Sequence, residues 1–474
     1  MTTKDDSDEM LGYSILKSRK LIKAILSMSD DIPTSNSSET KRNIVIIGGG
    51  IIGVCAAYYL AKALWEKNVD ISESGTTITI LEANDIASGA SGKAGGFLAK
   101  DWHSRESASL GRLSFELHTS LAQSLGGKDV YGYRRVSSFG GVVDVEDLSS
   151  GVGKQSNLED QKQDEGINTH IVNVPRATPT RTHPSALDTP IELDLPTWIR
   201  AADSFPLVAD EETTAQVHPY LFTQVLFKEC LKLGVRYAQG HALKWNRDGG
   251  LLGIISPDVS ANSGMETKKT LSATTLIIAA GPWSGRVANE LLEIDIPMTY
   301  LPGHSIILQP PTPGQGPAHS VFVEIRQLAR SLNNKEAVHE NITQTPEIFF
   351  RPDGTIYVAG ENTGPPLPDG TKEVNDIIDP ESIAKLQRSI QLLGVQGEQI
   401  QKQLCYRPLT RRRIPIIGKL GKEVYIATGH GPWGISLGPG TGKILSELVL
   451  DEPNSLSADI FGLEPRAHGV AVKE

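Results

Sequence analysis

Cysteine is scarce in this chain: Cys55, Cys230 and Cys405 are the only three among 474 residues. Their odd, small number and lack of metal-ligand spacing exclude a disulfide framework and a metal site, and they fit a reducing compartment. A basic excess is also lacking. Lys and Arg number 46 against 56 Asp and Glu, a net charge of -10, so no nucleic-acid partner is expected. The N-terminus has no early apolar block and begins acidic (Lys4, Asp5, Asp6, Asp8, Glu9), which argues against a secretory leader. The closing HGVAVKE holds no sorting tripeptide. The cytoplasm is the default location. One apolar run, Ile44 to Ala61, is long enough to suggest a membrane span, but its glycines favour a strand, a turn and a helix, so no stable span is expected.

That run is the most informative segment present. Ile44 to Ile47 reads as a buried strand, and Gly48, Gly50 and Gly53 then follow at the spacing G-x-G-x-x-G, with Ile51 and Ile52 opening an apolar helix. In such a turn the first glycine allows the bend, the second lets backbone N–H groups approach a pyrophosphate, and the third lets helix and strand pack closely. The positive end of the helix then faces the anion. Thr76 to Glu82 reads as the second strand, and Glu82 with Ala83 stands where an acid meets a ribose hydroxyl. The polar insert Asp70 to Thr77 explains why Glu82 comes later than the usual distance of about 20 residues.

Further units of strand, glycine turn and helix follow at Leu271 to Leu292 and Val424 to Leu450, and Val217 to Gly240 gives a helix closed by Gly234 and then a strand. Their wide separation predicts a discontinuous Rossmann-like cofactor domain built from 43–101, 213–290 and 405–450. An interleaved antiparallel-sheet substrate domain is expected over 102–212 and 291–404, giving an α/β plus α+β architecture. A polar insertion runs over about 145–196, and 451–474 forms a C-terminal tail. Residues 1–42 form an extension. Within it Leu11 to Met28 has the pattern of an amphipathic helix, for accessory packing or peripheral contact with an anionic membrane.

Several strings together carry a family resemblance: GASGKAGGFLA (89–99), YGYRR (131–135), TTAQVHPYLFTQ (213–224), AAGPWSGRV (279–287) and ATGHGPWGI (427–435). From Asn43 to about Leu450 the chain resembles the D-amino-acid-oxidase-like FAD oxidoreductases, the glycine oxidase and sarcosine oxidase type, and within them a fungal branch of amine-oxidase-fold flavoproteins. The resemblance implies FAD as cofactor. It places Ser88, Ser91, Lys93, Ala94, Gly95 and Gly96 in a loop around the pyrophosphate and the flavin edge. Lys93 is open between a cation for those groups and a solvated lysine. Val217, beside Gln216, falls on the adenine side. Ala280, Gly281 and Trp283 form a second glycine turn over the cofactor, and Gly429, His430, Gly431, Trp433, Gly434 and Ile435 bring a helix N-terminus to the flavin. Gly438, Pro439, Gly440 and Gly442 extend that close contact.

On the substrate side the resemblance implies Arg407 as the residue that meets a carboxylate, a task that suits its fork of donors. A structural ion pair is the other reading. Trp433 replaces an arginine found in glycine oxidase, which favours an apolar or aromatic amine or else a narrowed site. His304 stands on a strand that often carries an Arg-Gly-Gln signature, and Tyr357 falls where sarcosine oxidase has an oxygen-activating lysine. Cys405 matches the site of covalent flavin attachment in sarcosine oxidase, so both non-covalent FAD and a Cys405 thioether stay open. The implied activity is hydride transfer to flavin from the C–N carbon of a small amine or amino acid, with oxygen or another acceptor. The fungal branch also suggests a low-turnover flavin protein in endosome-to-Golgi traffic, associated with late endosomes.

Overall fold

The computed structural model describes residues 42–67, 75–147, 169–173, 196–200, 205–257, 266–312, 314, 316–330, 337–370, 372–456 and 460–473. The Leu11–Met28 helix, most of the 145–196 insertion and Asp70 to Ser74 lie outside the described residues. Strands are numbered in chain order, as are the six helices of nine residues or more.

Strand β1 (Asn43–Ile47) sends Ile44 and Ile46 into one apolar cluster and Val45 and Ile47 into another. A strand covered on both faces needs an unbroken apolar run, which is what the sequence supplies. Around it lies a six-stranded sheet in the order β20 (Ile416–Gly421), β21 (Val424–Thr428), β13 (Thr275–Ile278), β1, β2 (Thr77–Glu82) and β9 (Arg236–Gln239). All neighbours are parallel except β20 and β21. Helices α1 (Ile51–Glu66), α2 (Ala108–Ser124), α3 (Pro219–Lys232) and α6 (Gly434–Val449) share the first cluster. The opposite face carries α4 (Ser284–Leu292) and a three-stranded sheet of β10 (His241–Asn246), β11 (Leu251–Pro257) and β12 (Glu266–Ser272).

The second large sheet has nine strands. Its main path is β19 (Glu398–Thr410), β14 (Met298–Gln309), β18 (Ile356–Glu361), β17 (Glu347–Phe350), β15 (His319–Arg330), β5 (Ser137–Asp147) and β6 (Thr169–Asn173). β16 (Ala337–Gln344) joins β15, and β7 (Leu207–Ala209) joins β5. Helix α5 (Pro380–Leu392) packs on one face of this sheet through Ile383, Leu386 and Ile390. A small sheet of β3 (Phe97–Ala99), β8 (Thr214–Gln216) and β4 (Arg134–Arg135) lies between. The C-terminal residues run along β20: Ile417 donates to Leu463 O at 2.8 Å, and Lys473 N donates to Leu420 O at 3.0 Å.

Helix α6 contains Pro439, which has no N–H to give to Ile435 O. Helix α2 repairs the gap. His118 Nε2 donates to Ile435 O at 2.9 Å, and the Ser114 hydroxyl donates to Ser436 O at 2.6 Å while accepting from Gly440 N at 3.1 Å. The glycines of α6 serve the same packing. A Cβ on Gly442 would lie 2.5 Å from the Cys55 backbone on α1, and one on Gly440 would lie 2.9 Å from Leu110 on α2. This corrects the expectation that Gly438, Pro439, Gly440 and Gly442 lie against a flavin. Small residues here let three helices approach closely, which holds the N-terminus of α6 in place.

Candidate active site

The carboxyl ends of β1, β13 and β21 open together onto a cavity of about 610 Å³, whose far wall is one face of the nine-stranded sheet. In parallel sheets this edge is where ligands bind, because the loops after adjacent strands diverge there. The first of those loops carries Gly48, with φ +118°, a conformation that favours glycine. A side chain on Gly53 would collide with the Gly48 carbonyl, so this glycine seats α1 against the turn and lies behind the cavity. Gly50, Ile51 and Ile52 line the cavity, and Ile51 N donates to Ser91 Oγ at 2.9 Å. Glu82, at the end of β2, accepts from Gly49 N at 2.6 Å and Asn84 N at 2.9 Å. Burial pushes its carboxyl pKa up and those two bonds oppose the shift. Ala83, Ser88 and Ser91 border the same space.

The second and third loops are alike. Ala280, Gly281 and Trp283 line the cavity after β13, and His430, Gly431, Trp433, Gly434 and Ile435 line it after β21. Gly281 has φ +56° and Gly431 φ +57°, each opening a short turn that leads into α4 or α6. Thr428 Oγ1 ties the two loops by donating to Gly281 O at 2.9 Å. His430 is buried against Thr441 Oγ1 at 3.0 Å, and burial pulls its pKa down to about 3, so it is neutral. Trp283 Nε1 donates to Pro368 O at 2.8 Å, and Trp433 packs edge-on to His103 with ring centroids 4.8 Å apart.

Ala94, Gly95 and Gly96 join the two halves of the site. Gly95 faces the rings of Phe349 and Tyr357, where a Cβ would lie 2.5 Å from Phe349 Cδ2. Arg351 Nη2 donates to Ala94 O at 2.8 Å, with its guanidinium 4.9 Å from the Tyr357 ring centroid. Four of the residues expected nearby take other positions. Lys93 donates to Asn375 Oδ1 at 2.8 Å and Leu404 O at 3.0 Å, outside the cavity lining. Val217 is fully buried and donates to Gly96 O at 3.0 Å, while Gln216 accepts from Arg134. Gly429 turns against Thr410 with φ +79°. His304 is buried at an irregularity in the β14–β18 register and accepts from Asp379 N at 3.0 Å, which holds the residue that caps α5.

Tyr357, Cys405 and Arg407 do line the cavity. Arg407 Nη1 donates to Asn362 Oδ1 at 2.7 Å, and its guanidinium lies over Gly303, where a Cβ would be 2.5 Å from Nη2. Burial disfavours the Arg407 charge, but Cys405, Tyr357 and Glu347 more than restore it, so its pKa stands above the ordinary value. Burial and the nearby thiol push the Tyr357 phenol up to about 12, although Arg407 opposes the shift. The residues missed from sequence are Phe322, Glu347 and Phe349, with Asn84 beside the first turn. Alternation within E-I-F-F was the available signal, since Glu347 and Phe349 share one face of β17 while Ile348 and Phe350 enter the opposite core.

A family model described as FAD dependent oxidoreductase matches residues 43–448. The chain belongs to that family. FAD is accordingly its cofactor, and the residues present fit it: a glycine cradle at a helix N-terminus, with two further glycine turns opening on the same cavity. Two curated relatives share the name "Putative oxidoreductase". The Schizosaccharomyces pombe protein is 30% identical, covering 90% of this chain and 98% of its own. The Saccharomyces cerevisiae protein, TDA3, is 27% identical, covering 92% and 96%. Among solved structures, iminodiacetate oxidase from Chelativorans sp. BNC1 is similar with a TM-score of 0.59, 16% identity and coverage of 89% and 98%. Glycine oxidase from Geobacillus kaustophilus gives 0.56, 17%, 87% and 96%. These likenesses establish an FAD-dependent oxidoreductase with the glycine-oxidase-like fold.

Proposed function

We propose that this FAD-dependent oxidoreductase oxidises the C–N bond of a small amine or amino acid and that dioxygen reoxidises it. The observation that carries the reading is Arg407, a half-buried cation on the cavity wall whose remaining donors suit a carboxylate. Two similar structures bear the names of oxidases acting on iminodiacetate and glycine, which supports a nitrogen-bearing substrate and oxygen as acceptor. In this reading the loops after β1, β13 and β21, with Ser88, Ser91 and Gly95, hold the cofactor. The nine-stranded sheet presents the substrate. FAD, when bound, supplies the hydride-accepting chemistry. The chain's part is to orient the substrate: Arg407 fixes a carboxylate, the Phe349 and Tyr357 rings flank the apolar portion, and Trp433 narrows the opposite side.

Anaerobic mixing of the holoenzyme with a panel of amines and amino acids tests the reading. At least one member should bleach the oxidised flavin absorbance, and admission of air should restore it with formation of peroxide. Absence of bleaching by every member would overturn amine oxidation. Arg407→Ala should lower kcat/KM for carboxylate-bearing substrates by roughly 10-fold or more, as expected for removing one side of a partly buried charged contact. Amines without a carboxylate should change little. Non-covalent FAD is expected to leave with the supernatant on acid precipitation; a yellow pellet would instead indicate a Cys405 thioether.

Among the described residues no helix is long and apolar enough to cross a membrane.

A further inference from the structure

Among the described residues, the wall of the cavity formed by the nine-stranded sheet carries two charged side chains, Arg407 and Glu347. Glu347 begins β17. It stands opposite Phe322 on β15 and opposite Ala359 on β18, so the three side chains share the cavity-facing side. Ala359 is small and leaves the carboxylate uncovered. Two residues on, Phe349 stacks with Tyr357 at a centroid distance of 5.8 Å and with Phe97 at 5.7 Å, and Phe322 closes on Phe349 edge-on at 5.6 Å. The carboxylate therefore projects at the margin of an aromatic wall.

Glu347 is exposed and opens onto the cavity at the start of β17. Among the described residues it makes no hydrogen bond or ion pair. Arg407 acts on it through space, but the two do not join, and Arg407 already binds Asn362. A carboxylate so placed is hydrated when the cavity is open and is available to a cation or donor that enters it. Of the other charged groups bordering the cavity, Arg286 pairs with Asp369 at 2.9 Å and Glu82 holds the first glycine turn, while Glu290, Lys372 and Glu373 lie outside the nine-stranded sheet.

We infer that Glu347 is the anionic pole of the substrate pocket and receives the ammonium group of the substrate, with the rings of Phe322, Phe349 and Tyr357 around its apolar part. The substrate class is then a primary or secondary amine carrying an aromatic or branched aliphatic group. Its carboxylate, when it has one, goes to Arg407, so the two poles together suit a zwitterion. Neutral alcohols and simple acids lack the group that Glu347 selects. The inference rests on the proposed amine chemistry, and it assigns the nitrogen's partner, which that proposal leaves open.

Titration of the holoenzyme at about pH 8, followed by the change in flavin absorbance, tests this with three probes: benzylammonium, phenylacetate and benzyl alcohol. The wild type should bind benzylammonium roughly tenfold or more tightly than benzyl alcohol. Glu347→Gln should weaken benzylammonium by a similar factor and leave phenylacetate unchanged or tighter, and Glu347→Asp should restore part of the loss. Equal affinity for benzylammonium in wild type and Glu347→Gln would overturn the inference, as would parallel weakening of both charged probes. If the Gln variant does not retain flavin, the wild-type comparison decides: no preference for ammonium over alcohol overturns it. Selective benzylammonium binding without flavin reduction by any amine would support the ammonium pole and sink amine oxidation, so the two failures are distinguishable.

Discussion

At the scale of single residues, glycine marks places where a Cβ would collide with backbone, and these are not all ligand contacts. Gly50 and Gly281 open onto the cavity, whereas Gly53 and Gly442 seat helices. Gly442→Ala separates the two uses. Alanine favours a helix by about 1 kcal/mol over glycine, but its Cβ would meet the Cys55 carbonyl group at 2.5 to 2.6 Å. Overpacking of this kind costs about 1–3 kcal/mol. The variant should therefore lose up to about 2 kcal/mol of stability with little direct effect on substrate KM, measurable by urea denaturation and steady-state kinetics. A stabilised variant would contradict the close helix approach. Glycine positions were legible in the sequence because a motif announces them. His304 and Lys93 were misplaced because side-chain direction depends on register and on what lies across the gap, here Asp379 N and the Leu404 carbonyl.

At the scale of elements, α6 depends on a neighbour for its own hydrogen bonds. Pro439 removes one rung of the helix, and His118 and Ser114 on α2 supply substitutes. His118→Ala leaves the Ile435 carbonyl buried without a donor, a loss of about 1–3 kcal/mol. Because Ile435 lines the cavity at the start of α6, the same change should loosen FAD as well as lower Tm. Comparison of flavin release rates between wild type and variant checks this; unchanged release with lowered Tm would confine His118 to stability. The helix itself was readable from sequence, and so was its place after a strand. The repair was not, because His118 and Ile435 are 317 residues apart.

At the scale of the whole molecule, two sheets meet across one cavity and much of the titratable interior is neutral. Burial pulls His118 down to about 4 and His430 to about 3. Burial and then Arg351 pull His218 to about 4, against the pull of Asp353. Each histidine binds a proton more readily when unfolded, near its ordinary value of about 6.5. The unfolded state therefore gains protons first as pH falls, and stability should drop from about pH 6.5 toward pH 4, with the full contribution present above that window. Tm measured at intervals from pH 8 to 4 checks this, and His118→Gln should flatten part of the slope. A Tm that holds steady to pH 4.5 would contradict the neutral interior.

The sequence by itself determined a dinucleotide-type glycine turn and two further units of strand, glycine turn and helix. Those features are local: an apolar run, a glycine spacing and a helix start lie within about 20 residues of one another. Only the tertiary structure decided which face of the nine-stranded sheet lines the cavity. Glu347 and Phe349 acquire meaning because β17 lies between β15 and β18, and because Gly95, from a distant loop, packs against Phe349 and Tyr357. A two-residue alternation shows that a strand has two faces. Which face meets the cavity and which meets α5 is set by packing between segments far apart in the chain.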